Sequence, residues 1–548
     1  MEKRERGRMK YLSWLWKNTD GFRLNMAVRI VFGVGRITLG LLMVWLSKRF
    51  IDETILTGTD SDVARMVGLL VATVVGAIVL RILFYYMTNV AKVRQSNRLR
   101  LQVFEGLFLR KLYAGAELHS GDVASRLSKD IENVSTTTME TLPQMLVTTL
   151  QLVGAFLLMR WFDPRLAWAL LLLTPVTIAL GKLVSRKLRN MTLAIRDRES
   201  KIQMQVQEGV EFNAVLRSLE SEEWATDRLY STQQRLERDV VRRTRFTTIS
   251  RFALGSAFGL GYLFAFVWGG LGLRDGAITF GMMTSFLQLV GQIQHPILSI
   301  LNMVPQVVHA TASIDRLEDL EKSKEPEGDG MPVSLEGSLG VRLENLHFGY
   351  AAGRHEVLEG FSHDFEPGSK TAIMGKTGVG KTTLFRLLLG FIKPDSGRML
   401  IYSNSEVCAI GKETRTNFVY VPQGNTLLSG SIRLNLLIAK PDANDEELKR
   451  ALHAACADFV MDLPDGLDSE IGERGRGLSE GQAQRIAIAR GLLRPGNIWL
   501  FDEVSSSLDE ATERELFEKL FATYPDKTMI FVTHRSAMTE ICDEIVRL

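Results

Sequence analysis

Three glycines, a lysine and a threonine at fixed spacing carry the most specific chemistry in the chain: Gly375-Lys376-Thr377-Gly378-Val379-Gly380-Lys381-Thr382. The pattern GxxxxGK[ST] wraps a backbone around a polyphosphate, because glycines let successive N–H groups turn inward with no Cβ in the way. An apolar stretch, Thr371–Met374, precedes it and a helix-forming stretch, Thr383–Leu389, follows. A strand therefore delivers the loop, and a helix N-terminus behind it adds favourable partial charge. Lys381 is expected to reach the β- and γ-phosphates and the Thr382 hydroxyl to coordinate Mg2+, with Thr383 completing the cradle. A chance glycine-rich turn would lack that strand and that helix.

A second cluster is Ile498-Trp499-Leu500-Phe501-Asp502-Glu503, four apolar residues of a buried parallel strand and then two carboxylates. Open α/β sheets bind ligands beyond the carboxyl ends of their strands. Asp502 is thus placed to hold Mg2+, directly or through water, and Glu503 to take a proton from an attacking water. An acidic pair after a strand also reads as a surface cap; beside a phosphate loop it reads as the hydrolytic half of one site.

These motifs resemble the ATPase domain of ABC transporters, and the resemblance extends over nearly all of Val341–Leu548. The family's LSGGQ signature appears as Leu478-Ser479-Glu480-Gly481-Gln482, with glutamate in the third position. The resemblance implies that the ligands are ATP and Mg2+, that Tyr350 stacks on adenine, and that Gln423 senses Mg2+. It implies that Ser506-Ser507-Leu508-Asp509 communicates across a dimer and that His534 contacts the γ-phosphate. Ile471-Gly472-Glu473-Arg474-Gly475 resembles a segment typical of exporters. In this family the phosphate loop of one domain and the signature of another sandwich each ATP, which implies a head-to-tail dimer. With Glu503, His534 and Ser479 all present, a homodimer is expected; a heterodimer with a second half-transporter is the alternative. The chain stops at Leu548, soon after His534, where family members usually continue through a further strand and helix; hydrolysis is expected to survive, since the catalytic residues lie upstream.

Two kinds of element must position these groups. From Val341 onward short apolar strands alternate with helices, the pattern of an α/β domain. Before it, Glu321–Gly330 is rich in charge and turn residues and reads as a linker. Apolar residues concentrate in the first 315 positions of the 548. A bilayer core about 30 Å thick needs about 20 mostly apolar residues per helix, and six segments qualify: Leu24–Ser47, Val63–Thr88, Thr141–Met159, Leu166–Gly181, Phe252–Leu273 and Gly276–Val304. The fourth is short and spans only if Arg165 and Lys182 snorkel outward. The expected fold is a membrane all-α six-helix transmembrane domain joined to an α/β P-loop NTPase domain of ABC type. Its expected parts are an interfacial segment (1–23), the spans (24–314), a linker (315–340) and the ATP-binding domain (341–548).

Short turns at Asp163-Pro164 and Arg274-Asp275 join spans three to four and five to six, whereas the connections after spans two and four are long and basic, with Arg94, Arg98, Arg100, Arg110 and Lys111. The loop after span one instead carries Asp52, Glu53, Asp60 and Asp62, so the positive-inside rule puts both termini and the ATPase in the cytoplasm, at the cell's inner membrane. Tyr11, Trp14 and Trp16 among Lys10 and Lys17 read as a short interfacial helix. The layout resembles exporters with six spans ahead of one ATPase domain. His119-Ser120-Gly121-Asp122, with Arg126 and Asp130, resembles the first coupling loop, and Gln207–Leu219 falls where a second coupling helix is expected.

A net charge of +3 gives no support for a nucleic-acid partner. The three dispersed cysteines form neither a disulfide framework nor a zinc site, and no cleavable signal peptide is visible. Arg29, Arg36 and Arg81 lie within the first two spans, where charge is costly; they read either as contacts for an anionic substrate or as cations in a wet vestibule. His295 beside Pro296 reads as a packing or kink feature. The expected function is ATP-driven export or flipping of a lipid, a drug-like hydrophobic compound or a peptide by alternating access, with membrane lipid as surroundings. The alternative is a membrane-bound regulator or channel gate.

Overall fold

The computed structural model describes all residues except 1–9, 12, 109–119, 323–329, 351–355, 377, 473–476 and 536–539, and omits the side chains at 120–122, 170–183, 185–186, 254 and 321–322. The chain divides into two compact units, Met1–Glu105 with His119–Glu321 and Gly106–Leu118 with Lys322–Leu548.

The first unit is helical. Its principal helices are α1 (Arg23–Arg49), α2 (Asp60–Phe108), α3 (Leu142–Phe162), α4 (Pro164–Glu211), α5 (Asn213–Ser218), α6 (Glu222–Arg274) and α7 (Phe280–Lys322). Val67, Val71, Val75, Ile78, Val79 and Ile82 of α2 are all exposed. A helix apolar on so much of its outward surface is matched to lipid rather than water. Among the described residues, five helical stretches are long and apolar enough to cross a membrane: Arg23–Thr57, Asp60–Phe108, Val123–Phe162, Glu222–Arg274 and Phe280–Leu320. The fourth expected span falls in α4, mostly where side chains lie outside those described. Helices α2, α4 and α6 run unbroken from apolar into polar sequence, so the long connections are continuations of spanning helices. The short α5 falls within the expected second coupling segment, while His119 of the first lies outside the described residues.

The sixth helix begins later than Gly276. Gly276 adopts φ +68°, and Ala277 N–H donates to the Gly272 carbonyl over 2.8 Å. This left-handed cap closes α6 and leaves a turn before Phe280.

Polar contacts fix the helices against one another. Asp163 caps α4 through the N–H groups of Arg165 and Leu166, and also accepts the Trp268 indole N–H of α6 at 2.9 Å. Asp52 accepts the Thr279 hydroxyl at 2.5 Å and the Gly281 N–H at 2.8 Å. Arg29 is wholly buried; it donates to Thr88 Oγ1 at 3.3 Å and to the Met139 carbonyl in the π-helical turn Thr137–Thr141. It therefore ties α1, α2 and the turn before α3 together. Asp130 accepts from Ser313 Oγ and Arg316 Nε, each at 2.8 Å. Near the N-terminus, Tyr11 donates to Asp315 at 2.7 Å and Lys10 pairs with Glu318 at 2.6 Å.

The second unit contains two larger sheets. A five-stranded sheet runs in the order β11-β3-β10-β9-β6, using β3 (Lys370–Met374), β6 (Phe418–Val421), β9 (Ile498–Asp502), β10 (Thr528–Val532) and β11 (Glu544–Arg547). Every pairing in it is parallel. Strands β3, β9 and β10 read as continuous apolar runs because both faces are covered. An antiparallel sheet, order β2-β1-β4-β5, uses β1 (Gly340–Phe348), β2 (Leu358–Phe365), β4 (Ser396–Tyr402) and β5 (Val407–Ala409). The short pair β7 (Gly430–Ser431) and β8 (Glu470–Ile471) forms a third. Inside the core Phe531 stacks on Phe501 with ring centroids 4.9 Å apart and meets Phe517 edge-on at 5.1 Å. Phe531→Ala is expected to cost about 3–5 kcal/mol; thermal unfolding of the purified chain followed by tryptophan fluorescence measures it, and an unchanged midpoint contradicts it.

Candidate active site

Four neighbouring strands deliver four pieces of the site. Residues Gly375–Lys381 follow β3, His534 follows β10, Asp502 and Glu503 end β9, and Gln423 follows β6. The parallel register aligns their carboxyl ends. In the phosphate loop, Gly378 and Gly380 have φ of +88° and +111°. A Cβ on Gly380 would stand 2.7 Å from Val357 Cγ1, so only glycine fits that turn. The helix α8 (Lys381–Leu388) starts immediately after it. Thr377 lies outside the described residues, and Lys376 and Val379 close the loop with a 3.3 Å backbone bond.

Lys381 is buried; its Nζ donates to the Gly375 carbonyl at 2.6 Å and lies 2.8 Å from His534 Nε2. His534 Nε2 is in turn 3.1 Å from Glu503 Oε1, and Gln423 Nε2 donates to Glu503 Oε2 at 2.7 Å. The single Nε2 position serves one neighbour as acceptor or the other as donor, so the imidazole tautomer decides which contact shares a proton. Glu503 adopts φ +49°, a left-handed conformation that glycine would take more easily. Its N–H donates to the Val532 carbonyl at 3.0 Å, and its carbonyl accepts from Gln484 at 3.4 Å. The strained residue is thus held from both sides.

Asp502 is buried at 3% exposure. Burial pushes its carboxyl above the ordinary range, against hydrogen bonds from the Thr382 and Tyr420 side chains that favour the charged form. Burial likewise pushes the Lys381 ammonium down, while Glu503 and Asp502 hold it up. The donors fit magnesium: Asp502 and Thr382 offer hard oxygens, and Mg2+ favours one or two such ligands completed by phosphates and water. Among the described residues no cluster of three His, Cys, Asp or Glu could hold a metal alone.

Tyr350 sits apart from this group. Its hydroxyl is 3.1 Å from Thr383 Oγ1 and accepts from Arg386 at 2.8 Å, and its ring meets Phe348 edge-on at 5.0 Å. Ser479 caps helix α9 (Glu480–Leu492) in a reciprocal box: its hydroxyl accepts the Gln482 N–H at 3.2 Å and its N–H donates to Gln482 Oε1 at 2.9 Å. A Cβ on Gly481 would stand 2.9 Å from the Ser507 carbonyl. Asp509 caps helix α10 (Glu510–Thr523) through Thr512. Among the described residues, no hydrogen bond joins Ser479, Gly481 or Gln482 to the phosphate loop. Of Ile471–Gly475, residues 473–475 lie outside the described residues.

Sequence reasoning missed three supporting residues. Tyr420 bonds Asp502 at 3.3 Å. Gln484 accepts the Ser507 hydroxyl at 2.5 Å, linking α9 to the loop after Glu503. Arg535 donates to the Leu508 and Ser506 carbonyls at 2.7 and 3.0 Å and so holds that loop to the segment carrying His534. Adjacency to His534 and Gln423 was the only sequence signal for Arg535 and Tyr420.

Residues 26–297 match the family model described as ABC transporter transmembrane region, and residues 358–506 match the one described as ABC transporter. The chain belongs to the ABC transporter family, in its exporter form with a helical transmembrane domain fused to one ATPase domain. It is therefore a multi-pass membrane protein with an ATP-binding domain. It is 27% identical to the uncharacterized ABC transporter ATP-binding protein YfiC of Bacillus subtilis, over 93% of this chain and 85% of that one. It is 28% identical to a fatty acid ABC transporter ATP-binding/permease protein of Mycobacterium tuberculosis, over 78% of this chain and 68% of the relative. The fold matches the structure of a bacterial Atm1-family ABC exporter with ATP bound, with TM-score 0.78, 22% identity, and coverage of 96% and 93%.

Because the folded-state value of Asp502 is raised, its contribution to stability is full below the ordinary carboxylate range and is lost as pH rises through the raised value. Above that raised value the nucleotide-free fold carries a buried charge at Asp502. Asp502→Asn is expected to raise its melting temperature, by ~2–4 °C per kcal/mol recovered, with the gain vanishing toward acid pH. The same variant is expected to lose the Mg2+-dependent stabilisation by ATP. Scanning calorimetry across pH checks both; a lowered melting point at neutral pH contradicts the first.

Proposed function

We propose that the chain is one half of a dimeric exporter that hydrolyses MgATP and uses the closing and reopening of paired ATPase domains to alternate access across the cell membrane. The observation that carries this reading is the convergence of Lys381, His534, Glu503 and Gln423 at the ends of four parallel strands, with Asp502 and Thr382 beside them. In this mechanism Lys381 and the loop N–H groups of Gly375–Thr383 hold the phosphates. Asp502, Thr382 and Gln423 would hold a magnesium ion, which would supply charge neutralisation at the nucleotide phosphates. Glu503 takes the proton of the attacking water, and His534 stabilises the γ-phosphate. Tyr350, half exposed and backed by Phe348, offers a ring for the adenine.

The signature supports a partner. Exposed Ser479 and half-buried Gln482 cap the start of α9 by bonding one another, with half-buried Gly481 between them, and Asp509 caps the next helix; in this reading these groups meet a nucleotide held by a second chain. Glu480 changes the signature's third position while keeping the serine hydroxyl and Gly481. A homodimer is the simplest assembly because both halves of the site are intact in one chain. Both termini and the ATPase are assigned to the cytoplasm, and the substrate class to lipids, drug-like hydrophobic compounds or peptides. The M. tuberculosis relative's name, a fatty acid transporter, favours the lipid side.

Glu503→Gln is expected to lower ATP turnover by about 10²–10⁴-fold, the usual worth of a general base, while trapping ATP in a closed dimer. Purified chain in lipid bilayers, assayed for phosphate release and weighed intact by native mass spectrometry, tests both points. Undiminished turnover would falsify the assignment of the base, and an ATPase-active monomer removes the dimer.

A further inference from the structure

Arg36 of α1 and Arg81 of α2 share the walls of two cavities, of about 230 and 300 Å3. Small residues bring the two helices together around them. A Cβ on Gly35 would stand 3.1 Å from Leu80 Cδ1, and one on Gly76 3.0 Å from Leu39 Cδ1. The first cavity sets Asn89, Gln144 and Glu140 beside the arginines within walls that include Phe84 and Val147; the second is bounded by Ile37, Leu39, Met43, Val74 and Ile78.

Arg29 is saturated by Thr88 and Met139, whereas Arg36 and Arg81 have no hydrogen-bond or ion-pair partner among the described residues. Glu140, the acid in the first cavity, is 3.2 Å from Lys92. Two guanidinia sharing one apolar-walled space repel each other and are expensive to keep there. Both residues line both cavities, Arg36 half-buried and Arg81 exposed. Each lies about 22 residues, hence ~32 Å, along its helix from the turn at Gly58-Thr59. The two arginines therefore lie at one level of the antiparallel helix pair.

We propose that this double cavity recognises an acidic amphiphile, its carboxylate or phosphate held between Arg36 and Arg81 and its acyl chain laid along Ile37, Leu39, Met43, Val74 and Ile78. Guanidinium forks match both headgroups by paired, charge-assisted hydrogen bonds, and Asn89 and Gln144 supply further donors. The apolar lining favours a molecule entering from the leaflet over a small anion from solution. The inference rests on the transport reading and names its substrate class; a cationic compound would be repelled at the same place.

The test uses the full chain in phosphatidylcholine nanodiscs without nucleotide. Retention of palmitate and lysophosphatidic acid is compared with that of their uncharged or zwitterionic counterparts, hexadecanol and lysophosphatidylcholine, by native mass spectrometry. The acidic member of each pair is expected to bind about tenfold more tightly, the worth of one charge-assisted hydrogen bond. Arg36→Gln with Arg81→Gln is expected to erase that preference, and the double lysine variant to keep part of it. If the double glutamine variant does not fold, the exposed Arg81→Gln alone is expected to reduce the preference. Equal retention of charged and uncharged counterparts by the wild type, or a preference that survives loss of both guanidinia, overturns the inference. Complete displacement of palmitate by millimolar inorganic phosphate or acetate overturns its acyl part. Wild-type ATP turnover in the same nanodiscs keeps the two readings separate: hydrolysis without headgroup preference sinks only this one, and preference without hydrolysis sinks only the other.

Discussion

Ile530 stands beside Thr371 on one side and Leu500 on the other, and Leu500 stands beside Tyr420. That parallel register fixes where each strand ends, and the ends decide which groups can touch. A slip of one residue in β10 would invert its side chains and displace His534, which bridges Lys381 and Glu503. The aromatic stack of Phe501, Phe531 and Phe517 secures the register from below. Packing energy in the sheet is thereby converted into hydrogen-bond geometry at its rim.

The electrostatics of that rim lean in a common direction. Burial drives the Asp502 carboxyl up and the Lys381 ammonium down, each toward its neutral form. A magnesium nucleotide held as proposed would bring positive charge to the carboxylate and negative charge to the ammonium, and so would reverse both tendencies at once. Binding is favoured by what the protein alone leaves uncompensated, and the strained backbone at Glu503 shows that this rim is held by its neighbours rather than relaxed.

The phosphate loop, the acidic pair and five of the apolar spans were legible because each is a local pattern: a spacing, a short run, a length. The contacts among Lys381, His534, Glu503 and Gln423 join residues far apart in sequence, and only the sheet order brings them together. Arg29 shows the same limit in the membrane half. Its sequence context equals that of Arg36, yet Met139 and Thr88 absorb its donors, a fact that depends on where a π-helical turn falls. The late start of α7 follows from one glycine in a left-handed cap, which hydropathy does not register. Tyr420, Gln484 and Arg535 act through partners and belong to no short motif.

Helix α6 is 53 residues long without a break, about 80 Å at 1.5 Å per residue, against a hydrocarbon layer of about 30 Å. Most of its length therefore projects beyond the lipid as a stiff rod. Anchored near one end, where Trp268 grips Asp163, such a rod acts as a lever arm: a tilt of a few degrees inside the bilayer becomes a displacement of several ångströms at its far tip. Gearing of this kind needs no hinge within the helix, only a fulcrum that does not slip.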